Sequence, residues 1–260
     1  MKQEIRSGGE YARNRREIVY YMHIEKNAGT TTRNILCMNY APSEYLGAPV
    51  LARASRAGGA KTIDSIDVDV FELVSEIQNR QASLACVAAG LPYGVDKYLD
   101  QPVVYFTFLR DPVERCISYW YFAYQNRARS PLWSILESYD FDLGHILASP
   151  VGFPFCNDQV RMVAGIGTAS VAASDVSMAR EIIEERFFLT GTLAAYRPCL
   201  DLLAKRFGWL VPSFDWLNVG EKTDRSLLPT RAEQWFRAAN ELDIRLYDWV
   251  VREYLPRRLS

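Results

Sequence analysis

Short apolar runs alternate with amphipathic stretches along this chain. Ile18-Val19-Tyr20-Tyr21-Met22 is continuously apolar, the pattern of a strand covered on both faces. Arg33-Asn34-Ile35-Leu36-Cys37-Met38 then reads as a helix. Residues 67 to 80 have helical spacing, and Ser83-Leu84-Ala85-Cys86-Val87-Ala88 reads as a strand. Pro102 to Leu109 is apolar, aromatic and β-branched, a second buried strand. A helix follows to about Asn126, with Pro112 suited to its first turn and Asp111 to its cap. Glu181 to Arg186 ends another helix, which leads into the strand Phe187-Phe188-Leu189. A last helix from about Arg231 to Tyr254 would place Trp235, Ala238, Ala239, Leu242, Leu246 and Trp249 on one core stripe.

Strands separated by helices predict an α/β fold: a mostly parallel central sheet flanked by helices, as a three-layer, P-loop-like sandwich. Ligands of such sheets bind beyond the carboxyl ends of the strands. Residues 1 to 17 form a polar lead-in. Residues 41 to 66, rich in Ala, Gly, Ser and Pro, read as a long loop, and such loops are often functional. Residues 127 to 156, with Pro131, Pro150 and Pro154, read as a substrate-facing insertion. Trp120, Tyr121 and Tyr124 would pack on the sheet or line an acceptor pocket, with packing favoured. No repeat or linker divides the chain, so residues 1–260 are expected to form a single domain.

Between the first strand and its helix lies His23-Ile24-Glu25-Lys26-Asn27-Ala28-Gly29-Thr30-Thr31-Thr32. A helix start offers unpaired N–H groups and the positive end of the helix dipole. Gly29 permits close approach, the threonine hydroxyls can donate, and Lys26 carries a full charge, so the loop suits a phosphate-like anion. It lacks the Gly, four-residue, Gly-Lys-Ser/Thr order of nucleoside-triphosphate loops. The simpler reading is a strand-to-helix turn whose threonines cap the helix. At the end of the second buried strand stands Arg110, followed by Asp111-Pro112-Val113-Glu114-Arg115-Cys116-Ile117-Ser118. An Arg at a strand end and a Ser on the next helix can grip one phosphate, and Arg115 shares a helix face with Ser118. A surface Arg and an ordinary helix Ser would look the same.

This pair of segments resembles the two signatures of sulfotransferases that use 3′-phosphoadenosine 5′-phosphosulfate (PAPS). The carbohydrate branch, with the uronyl 2-O-sulfotransferases and bacterial relatives, is the most similar. Its first signature, approximately His-Ile-x-Lys-x-Ala-Gly-Thr-Thr, holds the 5′-phosphosulfate. Its second, approximately Leu-Arg-Asp-Pro-x-x-Arg-x-x-Ser, holds the 3′-phosphate. The resemblance therefore implies a cofactor site of Lys26, Asn27, Ala28, Gly29, Thr30, Thr31, Thr32, Arg110 and Ser118. Asn157 to Gly165 is similar to an Asn-x-Gln-x-Arg-x-Leu-Ala-Gly segment of bacterial members, Phe187 to Thr192 to their late strand, and Leu217 to Lys222 to a loop before their last helix. The likeness covers roughly residues 18 to 255 and is weakest over 40 to 80.

One position departs from the family. Relatives carry Gly-His-x-Pro-Tyr-Gly before the second signature, and that His is the expected general base. Here the segment is Gly90-Leu91-Pro92-Tyr93-Gly94-Val95-Asp96, with Leu91 at the His position. Leucine cannot accept a proton. Asp96 is then the nearest substitute, although loop Asp residues commonly cap helices. His23 is a further candidate, although the family His there looks structural. His145, Glu25 and Asp158 are weaker. Sulfuryl transfer, by analogy with phosphoryl transfer, depends on positioning and charge stabilisation, and Lys26 would neutralise the leaving oxygen. Arg161 is expected to contact the acceptor or the sulfonate, with a surface salt bridge as the competing account.

The whole-chain numbers agree. Net charge is −1, which argues against a general nucleic-acid partner. The 49% hydrophobic and 13% aromatic content belongs to a globular chain. The five cysteines, Cys37, Cys86, Cys116, Cys156 and Cys199, form no CxxC pair, so neither a metal site nor disulfides are expected. The amino end has no apolar signal region, and no run approaches the roughly 20 apolar residues of a membrane span. A cytoplasmic PAPS-dependent enzyme acting on a small-molecule or glycan hydroxyl is the resulting expectation. A phenolic or peptidyl-tyrosine acceptor, a non-catalytic cofactor-binding relative and a nucleotide-dependent kinase are its rivals.

Overall fold

The computed structural model describes residues 17–47, 70–80, 82–126, 131–167, 170–212 and 228–260. Five strands form one parallel sheet: β1 (Ile18–Met22), β2 (Tyr45–Gly47), β3 (Cys86–Ala89), β4 (Val103–Leu109) and β5 (Phe187–Thr192), in the order β2-β3-β1-β4-β5. β1 is central, so its carboxyl end faces the loops after both β3 and β4. Tyr20 pairs in register with Tyr105 and Val87, and Tyr21 with Phe106 and Ala88.

Alternating side chains build a core on each face of the sheet. On one face Tyr21 stacks on Phe106 with ring centroids 5.0 Å apart, while Phe108 meets Tyr196 at 4.6 Å and Phe106 meets Trp209 at 5.7 Å. On the other, Tyr105 stacks on Phe187 at 5.3 Å and meets Tyr20 and Tyr93. A sheet covered on both sides explains the continuous apolar runs. The architecture is the expected α/β one, a parallel sheet flanked by helices.

The helices are α1 (Gly29–Asn39), α2 (Val70–Arg80), α3 (Pro112–Gln125), α4 (Pro131–Ser138), α5 (Leu143–Ala148), α6 (Asp158–Val163), α7 (Ala173–Arg186), α8 (Tyr196–Phe207), α9 (Ala232–Ala239), α10 (Glu241–Trp249) and α11 (Leu255–Leu259). Asp111 caps α3 as expected: its Oδ1 accepts from Glu114 N at 3.0 Å, with Pro112 in the first turn.

Three expectations need correction. The strand expected over 83–88 lies at Cys86–Ala89. Trp120, Tyr121 and Tyr124 of α3 do pack, as favoured, but in a core of their own and not on the sheet. Trp120 and Tyr121 belong to a second core with Leu132, Leu136, Leu143, Phe155 and Phe236, so the segment after α3 supplies a packing layer. The single last helix is broken at Asn240. That buried side chain donates to Phe236 O at 2.8 Å and Phe155 O at 2.6 Å, competing with the helical ladder. Ala238 is left exposed and Trp235 half-buried, while Phe236, Leu246 and Trp249 are core. The lead-in 1–16, most of the 41–66 loop and the Leu217 to Lys222 segment lie outside the described residues.

Among the described residues no helix is long and apolar enough to cross a membrane, and no group of three or more His, Cys, Asp or Glu could hold a metal ion. All five cysteines are free, with Cys86, Cys116 and Cys199 buried.

Candidate donor site

The loop after β1 has an alternating backbone. Lys26 and Ala28 adopt left-handed φ values of 69° and 61°, on either side of Asn27. Successive N–H groups in such a turn point into a shared concavity, which suits an anion. Ala28 occupies the cap position of α1 and no side chain caps that helix. The first N–H groups of the helix, from Gly29 onward, therefore remain available to a ligand. This settles the role of the threonines: they lie inside the first turn and do not cap it. Thr30 is exposed; Thr31 and Thr32 are buried. Thr32 Oγ1 bonds Ala28 O at 3.1 Å and shares a 2.9 Å hydrogen bond with Tyr196, so its hydroxyl holds the loop.

His23 sets the floor of the loop. It is buried, and Arg33 Nη1 lies 3.2 Å from its Nδ1. A guanidinium only donates, so Nδ1 accepts and the ring proton sits on Nε2. Burial holds the imidazole below its ordinary 6.5, against the opposing field of Glu25. Nε2 lies directly over Gly29; a Cβ at that position would overlap the ring. The neutral imidazole thus explains the glycine. With its lone pair engaged and its proton on Nε2, His23 positions the loop and has no free nitrogen to take a proton.

Arg110 stands at the end of β4 and its Nη1 donates to Lys26 O at 3.3 Å, which brings the two signatures together. Both cations are half-buried. Burial lowers the Lys26 ammonium below 10.5, with Arg110 adding to the effect and Glu25 opposing it. Burial also lowers the Arg110 guanidinium, with Glu114 and Asp111 opposing. Two partly desolvated cations beside an uncapped helix start form an electrostatic trap that an anion would relieve. Lys26 Nζ lies 4.1 Å from the ring centre of Phe122. Phe122 is one helical turn beyond Ser118, so Ser118, half-buried, shares the face that Lys26 meets.

Beneath the two loops sits Gln159, which the sequence comparison aligned but to which it gave no role. Its Oε1 accepts from Asn27 Nδ2 at 3.0 Å and from Arg110 N at 2.9 Å, and its Nε2 donates to Arg110 O at 2.9 Å. Asn27 Nδ2 also donates to Phe108 O at 2.9 Å. The Asn27 side chain therefore points inward, and its backbone is engaged as well: its N–H donates to Ile24 O at 3.3 Å and its carbonyl accepts from the Tyr21 hydroxyl at 3.4 Å.

Other candidates are placed elsewhere. Asp96 Oδ1 accepts from the Tyr105 hydroxyl at 2.8 Å, and that hydroxyl accepts from Asp96 N at 2.9 Å. Tyr105 lies four residues before the end of β4, roughly 13 Å along the strand from the donor loops, so Asp96 is held on the face of the sheet. Leu91 is buried in the main core. Arg161 is buried rather than on the surface and donates to Cys156 O at 3.1 Å and Gly167 O at 3.3 Å. Arg115 is fully buried, 3.1 Å from Asp158 Oδ2, and so does not reach a ligand with Ser118. His145 is exposed beside Asp142. A cavity of about 590 Å³, lined by Val19, Tyr40, Ala85, Phe188, Arg206 and Phe207, opens at the amino ends of the strands. It is at the opposite end of the sheet from Lys26, Gly29 and Arg110.

A sequence model of the group described as the sulfotransferase family matches residues 10–142, half of the chain, including both signature loops. The chain belongs to the sulfotransferase family. It is thus an enzyme of sulfonate transfer, and the family implies PAPS as donor. A comparison with curated proteins finds no match. The matched span of this sulfotransferase ends before Gln159, so the residue that joins its two signature loops lies outside it.

Proposed function

We propose that this sulfotransferase transfers a sulfonate from PAPS to a hydroxyl on a carbohydrate or glycosylated metabolite. The observation that carries the donor half is the contact of Arg110 with the Lys26 backbone, which brings two half-buried cations to the loop that leads into one uncapped helix start. The donor set fits the cofactor. The first N–H groups of α1, from Gly29 to Thr31, with the Lys26 ammonium and the Thr30 and Thr31 side chains would hold the 5′-phosphate end, and Arg110 with Ser118 the 3′-phosphate. PAPS supplies an activated sulfonate on a phosphate leaving group. Lys26 places a charge where negative charge develops, and Arg110 fixes the orientation.

The acceptor half rests on the likeness to the carbohydrate branch and on Phe122, 37% exposed beside Lys26, which offers a flat apolar wall for a sugar face. The same wall suits a phenol, whose ordinary pKa of about 10 lessens the need for a base. With Asp96 turned to Tyr105 and His23 to Arg33, Glu25 is the carboxylate beside Lys26; it is 52% exposed and its Oε1 lies 3.7 Å from His23 Nδ1. It is our candidate for accepting the acceptor's proton. We read residues 1–260 as one domain and Arg161 as a support for the wall that follows α5.

Calorimetric titration with adenosine 3′,5′-bisphosphate tests the donor site. Binding by the wild type, lost in Lys26→Ala and Arg110→Ala, supports it; a folded wild type that does not bind overturns it. A screen of glycan, glycoside and phenolic acceptors with labelled donor then separates the two acceptor classes.

A further inference from the structure

We propose that Gln159 is a positioning residue that sets the spacing between the two anion grips of the donor site, an inference that rests on the PAPS reading above. Its single amide spans both grips. One oxygen accepts from the Asn27 side chain and the Arg110 backbone, and the nitrogen returns a bond to Arg110 O. Gln159 is fully buried, so these bonds do not compete with water. Arg110 is held at both its N–H and its C=O, which leaves its backbone no freedom to slide along the end of β4.

The mount of Gln159 is itself braced. Asp243 accepts from Gln159 N at 3.0 Å and Val160 N at 2.7 Å, capping α6. In return Asn157 Oδ1 accepts from Leu242 N at 3.0 Å and Asp243 N at 3.1 Å, capping α10. Each helix start thus closes the other. The path from α10 through α6 to the donor loops uses only buried or half-buried polar groups with defined partners.

A ligand with two phosphates gains from both grips only when their separation matches its own; a ligand with one phosphate does not sense it. The experiment compares adenosine 3′,5′-bisphosphate with adenosine 5′-monophosphate and adenosine 3′-monophosphate by calorimetry, on wild type and Gln159→Leu. The expected result for the variant is an affinity for the bisphosphate at least about tenfold lower and monophosphate affinities changed less than about threefold. Equal weakening of all three nucleotides, or no weakening, overturns the proposal. A wild type that binds no bisphosphate overturns the donor reading itself, and this inference with it. If Gln159→Leu shows no cooperative melt, Asn27→Ala decides. It removes the other end of the bridge, and a folded Asn27→Ala with the wild-type ratio of bisphosphate to monophosphate affinity overturns the proposal.

Discussion

Asn27 Nδ2 donates to Gln159 Oε1 at 3.0 Å across a separation of 132 residues. This bond ties the loop after β1 to the start of α6, and through Gln159 to the backbone of Arg110. The proposed donor site is therefore a tertiary object: each signature would supply a grip, and a third segment hydrogen-bonds to both.

Loss of either grip should weaken donor-product binding without unfolding the protein. A hydrogen bond to a charged group contributes about 1.5–3 kcal/mol, so Lys26→Ala and Arg110→Ala should each bind adenosine 3′,5′-bisphosphate roughly 10- to 150-fold more weakly. Titration calorimetry beside a thermal melt checks this. Unchanged affinity in either variant removes that residue from the site.

Gly29→Ala should be far more costly than a helix-interior Gly→Ala change, which is normally favourable. The new Cβ would overlap the His23 ring, so the ring or the loop must move. Overpacking of this kind costs about 1–3 kcal/mol. A double-mutant cycle with His23→Ala is the measurement: the double variant should be more stable than the two single losses sum to.

Arg115 is the cation of a buried acidic cluster, paired with Asp158 and close to Asp243, whose carboxyl burial pushes up to about 6 despite the opposing field of Arg115. Arg115→Met would remove the ion-pair partner of Asp158, while Asp243 keeps its backbone donors Gln159 N and Val160 N. Removing one partner of a buried pair costs about 3–5 kcal/mol, and chemical denaturation should show a loss of that order at neutral pH. A loss under about 1 kcal/mol would mean that the pair behaves as an exposed one.

Stability should also fall in mild acid through His23. Its folded pKa lies below the unfolded 6.5, so the unfolded chain binds the proton first. The stability associated with the neutral ring is present above about 6.5 and is lost as pH falls below that value toward the folded pKa. Asp243 acts in the opposite sense: its folded value of about 6 exceeds the unfolded 3.8, so its contribution becomes more favourable as pH falls through that window. That term is shared with a His23→Asn variant and cancels in the difference. The wild type should lose more stability than His23→Asn between about pH 7.5 and about pH 5.5. Parallel denaturation midpoints for the two proteins would show that His23 is not held neutral.

Much of this protein is set by local pattern. The continuous apolar runs Ile18–Met22 and Val103–Leu109 determine central parallel strands, because only a strand covered on both faces needs no polar side. Asp111 and Pro112 determine where α3 starts. Lys26, Gly29 and Arg110 are legible as candidates for an anion site because their chemistry and their position beside strand ends coincide. What the sequence left open depends on residues far apart in the chain. Asp96 resembled a base by proximity to Leu91, but Tyr105 on the adjacent strand claims its carboxylate. The stripe from Trp235 to Trp249 resembled one helix, but Asn240 bonds Phe236 and Phe155 and ends it. His23 resembled a possible base, but Arg33 and Gly29 decide its tautomer and its burial. Periodicity and caps act over a few residues, so the sequence alone determines strands, helix starts and the kind of ligand. The spacing of the two grips depends on which buried amide finds which partner, and only the packed tertiary structure brings Gln159 to Asn27 and Arg110.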